Sequence, residues 1–136
     1  MPATDDGERD LSALLKTLSP KLIAGEFVFC TCTESDLPGL LSLSPRVMVQ
    51  EEEGVTLVLD RDKAAEAGFS CAPPMRCITL AVHSSLQAVG LTAAVSAALA
   101  QAGISANVVA GYYHDHIYVP TAQAERAVQT LAALQG

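Results

Sequence analysis

The amino-acid sequence predicts an α+β fold made of two ferredoxin-like units in tandem, each an antiparallel sheet with helices on one face. The chain has 136 residues, of which 50% are hydrophobic, which is enough to bury a core. Each half shows the order strand, helix, strand, strand, helix, and the segment 71–74 is the clearest linker. Each unit is one strand short of the βαββαβ split motif, and a strand at 76–83 can complete the first unit while beginning the second.

The first half follows an acidic, polar lead-in, residues 1–10, which we expect to be disordered. Leucines at helical spacing from Leu11 to Leu18 predict a short helix that Ser19-Pro20 ends. The β-forming residues of 26–32 predict a strand, and the following sequence predicts helical turns, a hairpin and a short helix. We place these later elements at 37–41, 46–52, 55–60 and 63–68, and the two units at 11–72 and 73–136.

The second half is more regular. Apolar residues alternate along 76–83, which predicts a strand. The capping box Ser84-x-x-Gln87, an apolar stripe and Gly103 predict a helix whose two ends are both specified locally. Two strands at 105–111 and 116–119, joined by a polar and aromatic turn, and a last helix from Pro120 complete the unit.

The strand face opposite the helices of the second unit is too mixed in character to be simply solvated. By alternation it carries Cys77, Thr79, Ala81, His116 and Tyr118. We expect a sheet-to-sheet or subunit contact there. A homodimer or higher even oligomer is the predicted cover, and packing of the two units within one chain is the alternative.

Charge and hydropathy argue against several classes of partner. Charged residues form 17% of the chain, the formal net charge is −7, and the basic residues are scattered singly, whereas phosphate binding needs clustered Lys and Arg. The start of the chain does not resemble a secretory signal, and no apolar stretch approaches the ~20 residues of a spanning helix. We therefore predict a cytoplasmic protein without nucleic-acid or membrane partners.

Cysteines and histidines do not form a recognisable metal or catalytic motif. The four cysteines, at positions 30, 32, 71 and 77, lack both C-x-x-C spacing and the density of a disulfide scaffold. Cys30 and Cys32 share one face of a predicted strand, which favours a small buried hydrophobic role. His114-x-His116 could hold zinc with a cysteine or His83 as a third ligand. A nucleophile pair of Cys30 or Cys71 with a histidine is a second open alternative. We expect no metal, no cofactor and no catalytic residue.

The segment from Ile78 to Pro120 resembles an ACT domain of the type found in aspartokinases and in the CASTOR arginine sensors. The resemblance rests on a strand, a capped loop ending in Val89-Gly90-Leu91, an Ala-rich helix ending in Ala102-Gly103-Ile104, and the run Asp115-His116-Ile117-Tyr118-Val119-Pro120. Residues 26–70 resemble a second, degenerate ACT unit. There the run Asp36-Leu-Pro-Gly-Leu-Leu41 is similar to the D-x-P-G-x-L turn of the family.

The resemblance implies that ACT units pair and bind a small metabolite, usually an amino acid, at the seam between them. Backbone N–H groups where a helix begins suit a carboxylate, and the turn from Ser84 to Gly90 supplies them. The resemblance to the arginine sensors places Asp115 against a positive group. The candidate ligand contacts are Ser84, Ser85, Val89, Gly90, Asn107, Val108 and Asp115. Helix capping alone also explains the serines, and a turn cap alone explains the aspartate.

Three functions from different classes fit these observations. The first, which we expect, is a non-catalytic amino-acid sensor that acts through oligomerisation or a regulated partner protein. The second is an ACT-like interaction or scaffold domain with no ligand. The third is a small enzyme or metalloprotein.

Overall fold

The computed structural model describes residues 11–13, 15–70, 72–81 and 89–136, with the backbone alone for Val89. These residues form two compact units. Unit 1 combines the chain up to Ile23 with Arg76–Gly136, and unit 2 is Ala24–Met75.

The described residues contain both helices and strands. In chain order they are α1 (11–13 and 15–16), β1 (Lys21–Leu22), β2 (Phe27–Cys32), α2 (Leu37–Leu40), β3 (Val47–Gln50), β4 (Val55–Asp60), α3 (Arg61–Glu66), β5 (Met75–Leu80), α4 (Val89–Gln101), β6 (Asn107–Ala110), β7 (Asp115–Pro120) and α5 (Ala124–Ala133). Short 3₁₀ turns follow α2 at Leu41–Leu43 and precede α5 at Thr121–Gln123.

Unit 1 contains a sheet in the order β1-β5-β7-β6. β6 and β7 form an antiparallel hairpin in which Val108 lies opposite Ile117. Apolar side chains from one face of the sheet pack with α4 and α5, because alternate strand residues share a face. Its buried core consists of Leu18, Ile78, Leu80, Leu91, Val95, Leu99, Ile104, Ile117, Val119, Ala124, Ala127 and Leu131.

Unit 2 contains the antiparallel order β3-β4-β2. Its core, on the helix side of the sheet, is Val28, Cys30, Val55, Leu57, Leu59 and Ala64. Residues that alternate with these, such as Phe27 and Thr56, point to the other side, which we call the outer face. Asp60 ends β4 and caps α3, because its Oδ1 accepts hydrogen bonds from the backbone N–H groups of Asp62 and Lys63 at 3.0 and 3.2 Å.

The predicted α+β, ferredoxin-like fold class is confirmed by these antiparallel sheets and their helices. The helix predicted over 63–68 begins earlier, at Arg61, because the capping aspartate precedes it. The predicted capping box of Ser84 and Gln87 lies outside the described residues, and α4 is described from Val89 onwards.

The compact units differ from the predicted boundaries, 11–72 and 73–136, in the placement of residues 11–23. β1 pairs with β5, and the backbone N–H of Ile23 donates to the carbonyl of Cys77 at 2.8 Å. Leu18 is fully buried in the core of unit 1. This segment therefore belongs to unit 1 by its contacts, whereas the sequence order alone attaches it to the first half.

The mixed strand face of unit 1 is already covered at two of its five predicted positions. Cys77 and Tyr118 are fully buried within the single chain, while Ala81 is exposed. A second chain is therefore not needed to bury this pair. The homodimer itself stays a prediction, because Thr79 and His116 are only half-buried.

Candidate functional site

A buried carboxylate stands at the start of β7. Asp115 is 8% exposed and is the only buried charged side chain among the described residues. It lies opposite Ala110 in the hairpin. Because Ile117 and Val119 belong to the helix-side core, alternation places Asp115 on the same face, at the end of that core.

Partial burial governs the electrostatics of Asp115. Burial raises the pKa of the Asp115 carboxyl above its usual value, and the neighbouring His116 partly offsets this rise. Among the residues that the structure describes, no donor is hydrogen-bonded to the carboxylate. Such a group costs stability, and perturbed carboxyl groups of this kind cluster at functional sites.

The end of β5 lies close to the backbone of Asp115. The Thr79 hydroxyl and Nδ1 of His116 are 2.9 Å apart, so β5 and β7 are neighbours at this level. Asp115 is therefore within two residues of the point where β5 ends at Leu80. The next segment along the chain, 82–88, carries Ser84 and Ser85 and lies outside the described residues.

Two other predicted contacts lie away from Asp115. Asn107 is opposite Tyr118, at the other end of the hairpin, which separates it from the Asp115–Ala110 pair by about 10 Å along the strand. Its amide Nδ2 donates to the carbonyl of Tyr118 at 3.4 Å. Val108 packs against the core of unit 1. The structure thus does not bring the side chains of Asn107 and Asp115 together, since they occupy different faces and different ends.

Gly90 has a packing partner of its own. It is the second described residue of α4, and a Cβ added there would lie 3.2 Å from Cδ2 of Leu11. This close approach accounts for glycine at position 90 even if no ligand binds there, because a larger side chain would press on Leu11. The predicted role of Gly90 in ligand binding stays a prediction, as does that of Val89, of which only the backbone is described.

Metal and nucleophile chemistry find little support in the described residues. They contain no group of three or more His, Cys, Asp or Glu side chains that could hold a metal ion. Cys30, Cys32 and Cys77 are free thiols. Burial, followed by the nearby Cys32, raises the pKa of the Cys30 thiol, which disfavours the thiolate that a nucleophile needs. His83 and Cys71, named above as alternatives, lie outside the described residues.

The contact between Thr79 and His116 was not among the predicted site residues. Its signal was available in the sequence, because alternation had placed both residues on one strand face. What the sequence could not supply was the strand pairing that brings them within 2.9 Å of each other.

Comparison with protein families decides the family. Two models, each described as an ACT domain, match residues 6–76 and 74–133. The chain belongs to the ACT-domain family. It carries two ACT domains in tandem, and the resemblance found in its sequence is confirmed.

Solved structures share this tandem ACT fold. A Vibrio cholerae protein of unknown function, described as a possible transport protein, is 48% identical, covers 96% of this chain and 99% of its own, and superposes with a TM-score of 0.87. The regulatory subunit of aspartate kinase from Thermus flavus is 11% identical over 88% of this chain and 99% of its own, with a TM-score of 0.69. Aspartokinase III from E. coli, solved with aspartate and ADP, is 15% identical over 87% of this chain and 33% of its own, with a TM-score of 0.67.

The two aspartokinase relationships show the fold alone. No curated protein matches the chain. Within the described residues, no helix is long and apolar enough to cross a membrane.

Proposed function

We propose that this tandem ACT-domain protein is a non-catalytic regulatory module that binds an amino acid, and that Asp115 receives the positive group of the ligand. The observation that carries the proposal is the buried carboxylate of Asp115, which lacks a hydrogen-bond donor among the described residues. An ammonium or guanidinium group would supply the missing charge and donors. Charge-assisted hydrogen bonds of this kind are about twice as strong as neutral ones.

The carboxylate of the ligand has a proposed place in the segment 82–88, which the sequence predicts to be the turn that leads into α4. Backbone N–H groups where a helix begins favour an anion. Asp115 lies close to the end of β5, and the segment 82–88 follows β5 along the chain, so the two are proposed to bind opposite ends of one amino acid. Ser84 and Ser85 are proposed contacts on sequence grounds, and Asn107 and Val108 are not needed by this arrangement.

A regulatory role agrees with the ACT-domain family. An E. coli relative in fold was solved with aspartate and ADP, which supports an amino acid as the class of ligand proposed for this chain. The output of the module would pass through a second copy or a regulated partner protein in the cytoplasm.

A thermal-shift screen over the twenty amino acids and common nucleotides tests this proposal. A specific ligand at 100 times its Kd should add about 2.7 kcal/mol to the free energy of unfolding. Calorimetric titration then compares the wild type with Asp115→Asn. Loss of a charge-assisted contact should weaken binding by about 1.5 to 3 kcal/mol, or ten- to a hundredfold.

The matched control is Asp62→Asn, which removes an exposed carboxylate from α3 of unit 2 and should leave affinity unchanged. Equal affinity in the wild type and Asp115→Asn would remove Asp115 from the site. A screen in which no amino acid raises the melting temperature would favour the interaction module without a ligand.

A further inference from the structure

Two free thiols share the helix-side face of β2 in unit 2. Cys30 is buried in the core of this unit, and the half-buried Cys32 packs against the same core. Thr31, between them, points to the outer face, because successive strand residues alternate. Burial, followed by the nearby Cys32, raises the pKa of the Cys30 thiol. The two sulfur atoms are therefore close enough for their charges to interact.

The spacing of the two thiols limits the chemistry that they can share. Residues two apart on a strand have Cα atoms about 6.7 Å apart, near the upper limit of about 6.8 Å for a disulfide. A disulfide between them would bend β2, which pairs with β4 along all of Phe27–Cys32. A metal ion requires less movement, because two in-line metal–sulfur bonds of about 2.3 Å each, the length found in zinc sites, place the sulfurs about 4.6 Å apart.

The number of ligands indicates the class of ion. Thiolate sulfur favours Cu(I), zinc and iron–sulfur clusters. Zinc and iron–sulfur sites take about four protein ligands, whereas the described residues contain no group of three or more His, Cys, Asp or Glu side chains that could hold a metal ion. Cu(I) is satisfied by two thiolates in line. Every other residue that the structure places in or against this core is apolar, which suits an ion that bonds to sulfur and not to water.

We propose that Cys30 and Cys32 form a two-coordinate site for monovalent copper on the helix-side face of β2. On binding, both S–H bonds break, two Cu–S bonds form, the two protons pass to water, and no electron is transferred. The cation replaces the protons that burial holds on the thiols. The site lies within unit 2, whereas Asp115 belongs to unit 1, so the inference does not depend on the amino-acid proposal.

The helical turns that pack near the thiols give an ion a way in. Leu37, Leu40 and Leu43 contact the core of unit 2, yet neither α2 nor the 3₁₀ turn after it contains a fully buried residue or a side-chain cap at its start. Segments with few buried apolar contacts open locally at a low cost in free energy. Cys32, the last residue of β2 and the more exposed of the two cysteines, is the first thiol that becomes accessible.

Competition with bicinchoninate, a chromogenic chelator of Cu(I), tests the site on the reduced full chain in the absence of oxygen. The wild type should retain one Cu(I) per chain. Cys30→Ala and Cys32→Ala should each lose the copper to the chelator, because a single thiol does not complete the pair. The matched control is Cys77→Ala, which removes a buried free thiol from β5 of unit 1 and should retain the copper. Cys71→Ala, which removes the remaining cysteine, should retain it too.

Two measurements on the wild type cover the case in which a cysteine variant fails to fold. Below the pKa values of the thiols, the affinity for Cu(I) should rise about a hundredfold per pH unit, because binding releases two protons. Binding by a single thiol would give a rise of about tenfold per unit. X-ray absorption at the copper edge should show two sulfur neighbours and no nitrogen neighbour.

A wild-type chain that yields its copper to the chelator would overturn this inference. Retention of copper by Cys30→Ala or Cys32→Ala, or its loss from Cys77→Ala or Cys71→Ala, would also overturn it. So would a tenfold dependence on pH, or a third sulfur or a nitrogen bound to the copper. A chain that binds an amino acid but no copper would contradict this site alone, and a chain that binds copper but no amino acid would contradict only the amino-acid proposal.

Discussion

β4 in unit 2 and β7 in unit 1 are counterparts that differ at their first residue. Each has six residues, follows a hairpin turn and shows the same sequence of buried and half-buried positions. β4 begins with Val55, which is 1% exposed, and β7 begins with Asp115, which is 8% exposed. The fold thus offers the same apolar environment twice, and only one unit fills it with an apolar side chain.

This difference shows that the fold accommodates either an apolar or a charged side chain at the first residue of the strand. Val55 packs in the core of unit 2, so the position has a sufficient structural role when it is apolar. Asp115 has no donor among the described residues, and its raised pKa reflects the cost of its burial. A residue that costs stability where its counterpart contributes it is typical of a functional site.

The largest expected effect comes from placing an aspartate in unit 2 at the strand position that corresponds to Asp115 in unit 1. Val55→Asp should lower the free energy of unfolding at pH 7 by about 3–5 kcal/mol, because it buries an uncompensated carboxylate. Urea denaturation measures this change. Thr31→Asp, at an exposed position of the neighbouring strand β2, should cost less than about 0.5 kcal/mol. A small loss for Val55→Asp would mean that this strand position readily accepts charge, and the comparison would then say nothing about function.

The reverse exchange should have a smaller effect of opposite sign. Asp115→Val should raise the free energy of unfolding at pH 7 by about 1–2 kcal/mol, because it removes a desolvated charge and extends the core of unit 1. It should also abolish the response to any amino acid that stabilises the wild type. Urea denaturation with and without the amino acid measures both effects. If Asp115→Val is less stable than the wild type, the carboxylate has a favourable structural partner and the functional interpretation is wrong.

The pH dependence of the free energy of unfolding separates the effect of the Asp115 charge from the effect of the altered side-chain shape. The folded-state pKa of Asp115 is raised above the ordinary value of 3.8, so the folded chain holds this proton more tightly than the unfolded chain. Below pH 3.8 its ionisation therefore costs the fold nothing, and the cost grows as the pH rises to the folded-state pKa and then stays constant. The stability advantage of Asp115→Val over the wild type should follow this course. If this stability advantage does not change with pH, it comes from packing alone.

The sequence predicted most of the fold because its elements carry local signals. Alternation gave the strands, and the helical stripe with Gly103 gave the end of α4. The sequence did not predict that residues 11–23 pack in unit 1, because no local pattern encodes that β1 pairs with β5. It placed Asp115 in the site by resemblance, yet its burial, its distance from Asn107 and its proximity to the end of β5 all depend on strand register. The alternation of residues along a strand predicts which face of the sheet a side chain is on. Only the pairing of strands determines which residues of two strands lie side by side.

The same two strands also differ at their last residue, and this gives the smallest prediction. β4 ends in Asp60, whose carboxylate caps α3 through the backbone N–H groups of Asp62 and Lys63. β7 ends in Pro120, and the 3₁₀ turn that follows it has no side-chain cap. Asp60→Ala should therefore cost about 1 kcal/mol of unfolding free energy.

Asp60→Asn keeps a capping oxygen, so it should retain most of that stability, and urea denaturation of both variants makes the comparison. Pro120→Ala is the matched change in unit 1, where no side-chain cap is lost. If Asp60→Ala and Asp60→Asn destabilise equally, the contribution of Asp60 comes from its charge near the start of α3 and not from the cap. The exposed ion pair of Arg61 with Glu26, at 2.9 Å, would then be the first neighbour to test, because Asp60 and Arg61 are adjacent and both act where β4 passes into α3.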